Sequence, residues 1–201
     1  MEDLETRTKV VFVSIDCAMM GQLVKLFVLE ELETLYPGVY TEANVVLSST
    51  HTHSGPAGYM QYVLFNVPNL GFIKDTLDAL VRGIVLSIER AEDSLQPGTI
   101  MYTKGLVTEE ANINRSPTSY EANPEEERAK YEYNTDRDMT QLMFYAADGS
   151  PLGLVNWYAV HPTSMNNTNH LISSDNKVGD DDDKDIKCSS FVIPGSSKYS
   201  V

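Results

Sequence analysis

Two short runs of apolar, β-branched residues, each followed by a run with helical spacing, most constrain how this chain can fold. Residues 9–16 (KVVFVSID) and 44–49 (NVVLSS) are typical of buried strands. Residues 19–36 and 72–95 carry apolar side chains at helical spacing, and a Pro-Gly pair follows each run. This order predicts an α/β fold, with a layered sheet flanked by helices.

The second half of the chain is predicted to add antiparallel strands. Residues 99–107 favour a strand, and residues 141–147 and 152–160 favour two more, joined by an Asp-Gly-Ser-Pro turn. The hairpin makes the predicted sheet mixed rather than purely parallel. Between them, residues 108–138 are polar and lack periodicity, so we expect a long loop with one helical turn near 125–131. Loops of this length in compact domains are often functional.

Charge and hydropathy exclude two classes of protein. The formal net charge is −14, so nothing in the chain could neutralise a phosphate backbone, and we expect no nucleic-acid partner. The hydrophobic content of 42% is typical of a globular protein. No apolar run approaches the roughly 20 residues that span a bilayer, so no transmembrane segment is predicted. Residues 1–5 are acidic and lack signal-peptide features, which taken literally would leave the chain in the cytosol.

Three of the four histidines follow the end of a predicted strand. His51 and His53 follow the second strand, and His161 follows the last one. Ligands of open α/β sheets gather at the carboxyl ends of strands, so these segments could meet in space. Residues two apart in extended chain point the same way, and neutral imidazole is a zinc ligand, so the pattern indicates a metal or catalytic site. Structural or exposed histidines are the alternative, which we favour for His170.

Four other residues have a chemical and a structural interpretation. Asp16 could orient a ligand histidine, but a turn or helix-capping role is favoured. Arg115, in the long loop, could stabilise an oxyanion, although composition alone favours an exposed arginine. Ser54 lies outside any nucleophile elbow and is predicted to be a turn residue. Cys17 follows an apolar run and is predicted to be a buried free thiol.

Three strings in this chain resemble the neutral ceramidases in order and approximate spacing. They are residues 50–58 (THTHSGPAG), 112–117 (NINRSP) and 156–167 (NWYAVHPTSMNN), and the strand sequence VFVSID precedes them. The resemblance implies that residues 1–176 form an incomplete piece of a larger catalytic domain. A metallohydrolase of another substrate class would fit the histidines but not the three strings.

The resemblance also implies a metal, a reaction and a role for each site residue. His51 and His161 match zinc ligands, His53 matches an active-site histidine that contacts substrate, and Arg115 matches the active-site arginine. The implied reaction is zinc-assisted hydrolysis of the N-acyl amide bond of ceramide, presented at a membrane surface or in micelles, to sphingosine and a fatty acid. The family's other ligands, a glutamate and a tyrosine, and its serine in a Gly-Asp-Val-Ser-Pro-Asn segment lie later in its sequence and are unmatched here.

Residues 177–201 depart from the family pattern. They contain DDDDK at 180–184 and a Ser-rich end, so we expect a disordered acidic tail. Translation through a splice donor and an engineered enteropeptidase site are the two origins considered, and the first is favoured. The alternative to a working amidase is therefore a catalytically inactive, truncated product that at most binds lipid. The family's secreted or cell-surface location agrees with two N-glycosylation patterns, at Asn114 and Asn166.

Overall fold

A computed structural model describes residues 1–177 and two short strands, at 188–189 and 199–200. The elements in chain order are β1 (Glu2–Asp3), β2 (Val11–Ile15), α1 (Gln22–Leu35), β3 (Val45–Ser49), α2 (Val63–Asn66), α3 (Lys74–Asp93), β4 (Gly98–Leu106), α4 (Pro117–Glu121), α5 (Glu125–Arg128), β5 (Asp138–Ala146), β6 (Pro151–Tyr158), β7 (Cys188–Ser189) and β8 (Tyr199–Ser200). Most of the predicted tail lies outside the described residues, so its predicted disorder stays a prediction.

The first layer is a parallel pair of strands, β2 and β3, with α1 as the crossover between them. The pair is in register from Val11 opposite Val45 to Ile15 opposite Ser49. Helices α1 and α3 pack on each other, and α3 also packs on β2. Because the two strands end side by side, the loops that follow them lie at one edge of the layer.

The second layer is a four-stranded mixed sheet in the order β4-β5-β6-β7. Strands β4, β5 and β6 are antiparallel to their neighbours, and β7 is parallel to β6. The predicted α/β class and the β5–β6 hairpin are confirmed. The described strands, however, divide into three separate sheets instead of forming one: β1 with β8, β2 with β3, and β4 to β7. Strand β4 pairs with β5 along all nine residues and makes no backbone ladder with β2 or β3.

The buried face of α1 differs from the full apolar pattern of its sequence. Val24, Val28 and Leu32 are completely buried, and they follow one another at intervals of four residues. Leu26 on the same helix is 54% exposed. The apolar pattern therefore predicts the helix correctly, but it includes residues such as Leu26 that lie outside the face of α1 packed against α3.

The long polar loop contains α4 and α5, and α5 lies where the sequence predicted a helical turn. No helix among residues 1–177 is long and apolar enough to cross a bilayer.

Replacing Leu32 with alanine tests the assigned core. Leu32 is fully buried, so we expect Leu32→Ala to lower the free energy of unfolding by about 2–5 kcal/mol in urea titrations followed by circular dichroism. The matched control, Leu26→Ala, removes the same atoms from an exposed position and should change it by no more than about 0.5 kcal/mol. Equal losses in both variants would show that the buried face is assigned wrongly.

Candidate metal centre

Three histidine side chains from two layers of the fold meet at one point. Nε2 of His53 lies 3.5 Å from Nε2 of His51 and 3.1 Å from Nε2 of His161. One candidate ligand atom from each ring lies within 4.8 Å of the others. His51 and His53 are exposed and His161 is half-buried, so the cluster is open to solvent. The two strand ends therefore do meet, and the three rings could together hold one metal ion.

His51 is fixed by the loop that follows β2. Its backbone N–H donates to the carbonyl oxygen of Cys17 at 3.1 Å, and its Nδ1 lies 2.6 Å from the carbonyl oxygen of Ala18. A carbonyl only accepts, so Nδ1 carries the proton and Nε2 has its lone pair free. The φ of +65° at His51 is in the left-handed region, which costs a non-glycine residue about 1–2 kcal/mol. These two hydrogen bonds offset that cost.

Thr52 separates the two histidines and points the other way. Its side chain is completely buried, and its hydroxyl donates to the carbonyl oxygen of Ser173 at 2.6 Å. The same hydroxyl accepts the N–H of Ser54 at 3.2 Å. The alternation sends the rings of His51 and His53 into the cluster, with their centroids 5.0 Å apart, as the His-x-His spacing predicted.

Residues 175–177, a short segment after the third string, bind the backbone on either side of His161. Both carboxylate oxygens of Asp175 accept backbone N–H groups, from Ser164 at 2.9 Å and Met165 at 2.8 Å. The side chains of Asn176 and Lys177 donate to the carbonyl oxygens of His161 and Val160, at 3.3 Å and 2.9 Å. The sequence prediction missed these contacts. The only available signal was a cluster of Ser, Asp and Asn residues, which commonly bond to nearby backbone.

Two asparagine side chains anchor the loop just before Arg115. Asn112 donates to the carbonyl oxygen of Ala159, two residues before His161, and Asn114 donates to that of Asn134 at 2.9 Å. Arg115 itself is exposed, and its charge acts on two of the histidines. The string 112–117 therefore brings a cation to the histidine cluster.

The electrostatics of the site favour neutral imidazoles. Loss of solvent around the rings, followed by the proximity of His51 and Arg115, lowers the pKa of His53, while Asp175 opposes that shift. Loss of solvent and then Arg115 are the main causes that lower the pKa of His161. Because the pKa of each ring lies below the ordinary value for histidine, both rings are neutral at neutral pH and keep the form that binds a metal ion.

The remaining residues singled out in the sequence have structural positions. Asp16 is exposed in the bend after β2, and Nδ1 of His51 donates its orienting hydrogen bond to the Ala18 carbonyl oxygen instead. Ser54 lies in a bend, as predicted. His170 is exposed and outside the cluster. Cys17 is a buried free thiol, and burial raises its pKa.

Comparisons with known proteins agree on one family. The family model described as neutral/alkaline non-lysosomal ceramidase, N-terminal, matches residues 1–180. The chain is 49% identical over 169 residues to neutral ceramidase 1 of Arabidopsis thaliana, covering 84% of this chain and 22% of that protein. It is 51% identical over 170 residues to neutral ceramidase B of Dictyostelium discoideum, covering 84% of this chain and 24% of that one.

Solved structures give the same result. A structure described as ceramidase complexed with C2 has a TM-score of 0.85 and 42% identity, and the match covers 94% of this chain and 30% of that chain. The crystal structure of neutral ceramidase from Pseudomonas aeruginosa has a TM-score of 0.79 and 42% identity, over 90% of this chain and 30% of that chain. The chain thus spans about a quarter of the length of the curated relatives that it matches.

Removing the charge of Arg115 should raise the pKa of both histidines that it affects. In Arg115→Gln we expect a larger rise for His161, where Arg115 is the second cause of the shift, than for His53, where it is the third. Imidazole resonances followed by NMR over a pH titration measure this. Arg115→Lys keeps the charge and should keep both pKa values low. Unchanged titrations in Arg115→Gln would show that the guanidinium does not act on the cluster.

Proposed function

The chain belongs to the neutral/alkaline non-lysosomal ceramidase family, and from that membership we propose that it carries part of a zinc-dependent amidase site that cleaves the N-acyl bond of ceramide. The observation that carries the proposal is the three-histidine cluster, formed by two of the strings that resemble the family. The products are sphingosine and a fatty acid. The parent protein is proposed to act outside the cell or at its surface, on ceramide in membranes or micelles.

The spacing of the ring nitrogens supports zinc as the metal. Two imidazole nitrogens at the usual Zn–N distance of ~2.0–2.1 Å, in tetrahedral geometry, lie ~3.3–3.4 Å apart. Nε2 of His53 lies 3.1 Å and 3.5 Å from Nε2 of His161 and of His51, and the three candidate ligand atoms lie within 4.8 Å of one another, so the rings converge closely enough for a zinc-sized ion. We assign His51 and His161 as the metal ligands. His53 is assigned to the substrate, and this division of roles follows the resemblance to the family.

The chemistry divides between the metal and the side chains around it. When bound, zinc supplies a Lewis acid that polarises the amide carbonyl and activates water at neutral pH. The neutral ring of His53 can accept a proton at Nε2 from a water molecule whose oxygen bonds to the amide carbon, and can return that proton to the leaving nitrogen as the C–N bond breaks. Arg115 offers a positive charge to the oxyanion that develops on the carbonyl oxygen.

Apolar residues on the loops that carry the site support a lipid substrate. Ile113 is 83% exposed and lies two residues before Arg115, while Leu171 and Ile172 are 76% and 74% exposed and lie just before Ser173. Side chains of this kind can contact an acyl or sphingoid chain next to the reacting amide. A neighbouring solved structure is described as ceramidase complexed with C2.

A second candidate function is metal and lipid binding without turnover. It is favoured by the coverage, since the chain spans about a quarter of its curated relatives. The family pattern also places a glutamate and a tyrosine ligand later in its sequence. The two imidazoles assigned as ligands leave room for such groups around one ion, so this chain could bind zinc more weakly than a complete site does.

Zinc binding and ceramide hydrolysis separate the candidates. We expect the 201-residue chain to bind one zinc ion, and His51→Ala to bind it at least about tenfold more weakly. His170→Ala, which removes an exposed histidine outside the cluster, should bind zinc like the unmodified chain. Calorimetry measures the affinities, and circular dichroism checks that each variant folds.

Release of fatty acid from ceramide in detergent micelles is then measured with zinc present. Turnover that disappears in His51→Ala and persists in His170→Ala supports the amidase. Zinc binding without turnover supports the second candidate. Equal zinc affinity in all three proteins would overturn the assignment of the metal to the histidine cluster.

A further inference from the structure

We propose that residues 173–177, here called the bridging segment, position the two halves of the histidine cluster against each other. His51 and His53 follow β3 of the first layer, and His161 follows β6 of the second. No hydrogen-bonded strand pairing joins these two strands. The separation of His53 and His161 therefore depends on packing between the layers, such as Phe12 of β2 against Trp157 of β6, and on contacts made by the loops.

The bridging segment contacts the His-x-His side of the cluster through Ser173. Its N–H donates to the carbonyl oxygen of Ser54 at 2.9 Å, and its carbonyl oxygen accepts the hydroxyl of Thr52 at 2.6 Å. Thr52 is completely buried, so this second bond is shielded from water. The two bonds attach the segment to the residues on either side of His53.

The same segment contacts the His161 side through three consecutive side chains. Asp175 binds the N–H groups of Ser164 and Met165 with separate carboxylate oxygens, and charge-assisted bonds of this kind are among the strongest in proteins. Asn176 and Lys177 bind the carbonyl oxygens of His161 and Val160. The backbone around His161 is therefore fixed at two places. One is the pair of carbonyl groups of Val160 and His161, and the other is the pair of N–H groups that begins three residues later, at Ser164.

The backbone of Asp175 shows that this arrangement is specific. Its φ of +60° lies in the left-handed region, which non-glycine residues adopt only when surrounding contacts determine it. Its own N–H donates to the hydroxyl of Ser173 at 3.0 Å, so the segment also orders itself. Pro162, next to His161, is fully buried and limits the same loop. Asp175, Asn176 and Lys177 are positioning residues, because they reach the cluster through the backbone that carries His161.

Asp175→Asn tests the proposal with little change in size. An asparagine side chain has one accepting oxygen instead of two, so one of the bonds to Ser164 and Met165 must be lost. We expect faster hydrogen exchange at these two amides and a shifted imidazole resonance for His161 by NMR. We also expect the affinity for zinc, or for cobalt(II) followed by its visible absorption, to fall about 10–100-fold, as for other partners of metal ligands.

Asp3→Asn is the control for the loss of one carboxylate charge. Oδ1 of Asp3 accepts both backbone N–H groups, from Glu5 and Thr6 at 2.8 Å each, so this variant keeps both bonds in a loop near the N-terminus. It should leave the His161 resonance and the metal affinity unchanged. Faster exchange at Ser164 and Met165 in Asp175→Asn with an unmoved His161 resonance would overturn the proposal, because the segment would then only stabilise its own loop.

The inference rests on the proposed metal site, but its failure is distinguishable from failure of that site. If the unmodified chain binds neither zinc nor cobalt(II), the metal proposal fails, and the His161 resonance still decides whether the bridging segment positions the ring. If the metal binds and Asp175→Asn keeps full affinity, the proposed function stands and the bridging segment has no part in it.

Discussion

The register of β2 against β3 is the constraint on which the site depends. Ile15 pairs with Ser49 at the end of the parallel pair, so the two loop segments that follow β2 and β3 continue side by side. The N–H of Thr50 then reaches the carbonyl oxygen of Ile15 at 3.0 Å, and that of His51 reaches Cys17 at 3.1 Å. A slip of one residue would turn every side chain to the opposite face and move His51 away from the Ala18 carbonyl. Helices α1 and α3 fix this register because they cover the pair with an apolar core.

The second layer contributes its histidine in a different way. Strand β6 ends at Tyr158, and His161 follows in irregular chain, 108 residues after His53. No ladder of backbone hydrogen bonds extends to the ring, so its position depends on side chains that bind backbone groups. Asn112 from the long loop and Asp175 from the bridging segment supply such bonds to the chain before and after His161. Regular structure thus positions one half of the cluster, and polar loop contacts position the other.

The sequence predicts the parts of the site that follow from local patterns. The ends of the predicted strands indicated that His51 and His161 could meet. The spacing of two residues predicted that the rings of His51 and His53 point the same way. The partner of His51 could not be predicted, because it is the backbone carbonyl of Ala18, a group that every residue has. The bridging segment could not be predicted either, since Ser173 bonds residues about 120 positions earlier and only the fold brings them together. The division into separate sheets could not be predicted, because strand propensity does not determine that β4 pairs with β5 and not with β2 or β3.

The location of the metal is the central claim, and X-ray absorption at the zinc edge tests it most directly. The unmodified chain, loaded with one equivalent of zinc, should show outer-shell scattering from at least two imidazole rings with Zn–N distances of ~2.0–2.1 Å. A shell of oxygen atoms without imidazole scattering would contradict the claim, because the metal would then lie on carboxylates such as those at 180–183. A sulfur shell at ~2.3 Å would contradict it as well, by placing the ion at a cysteine.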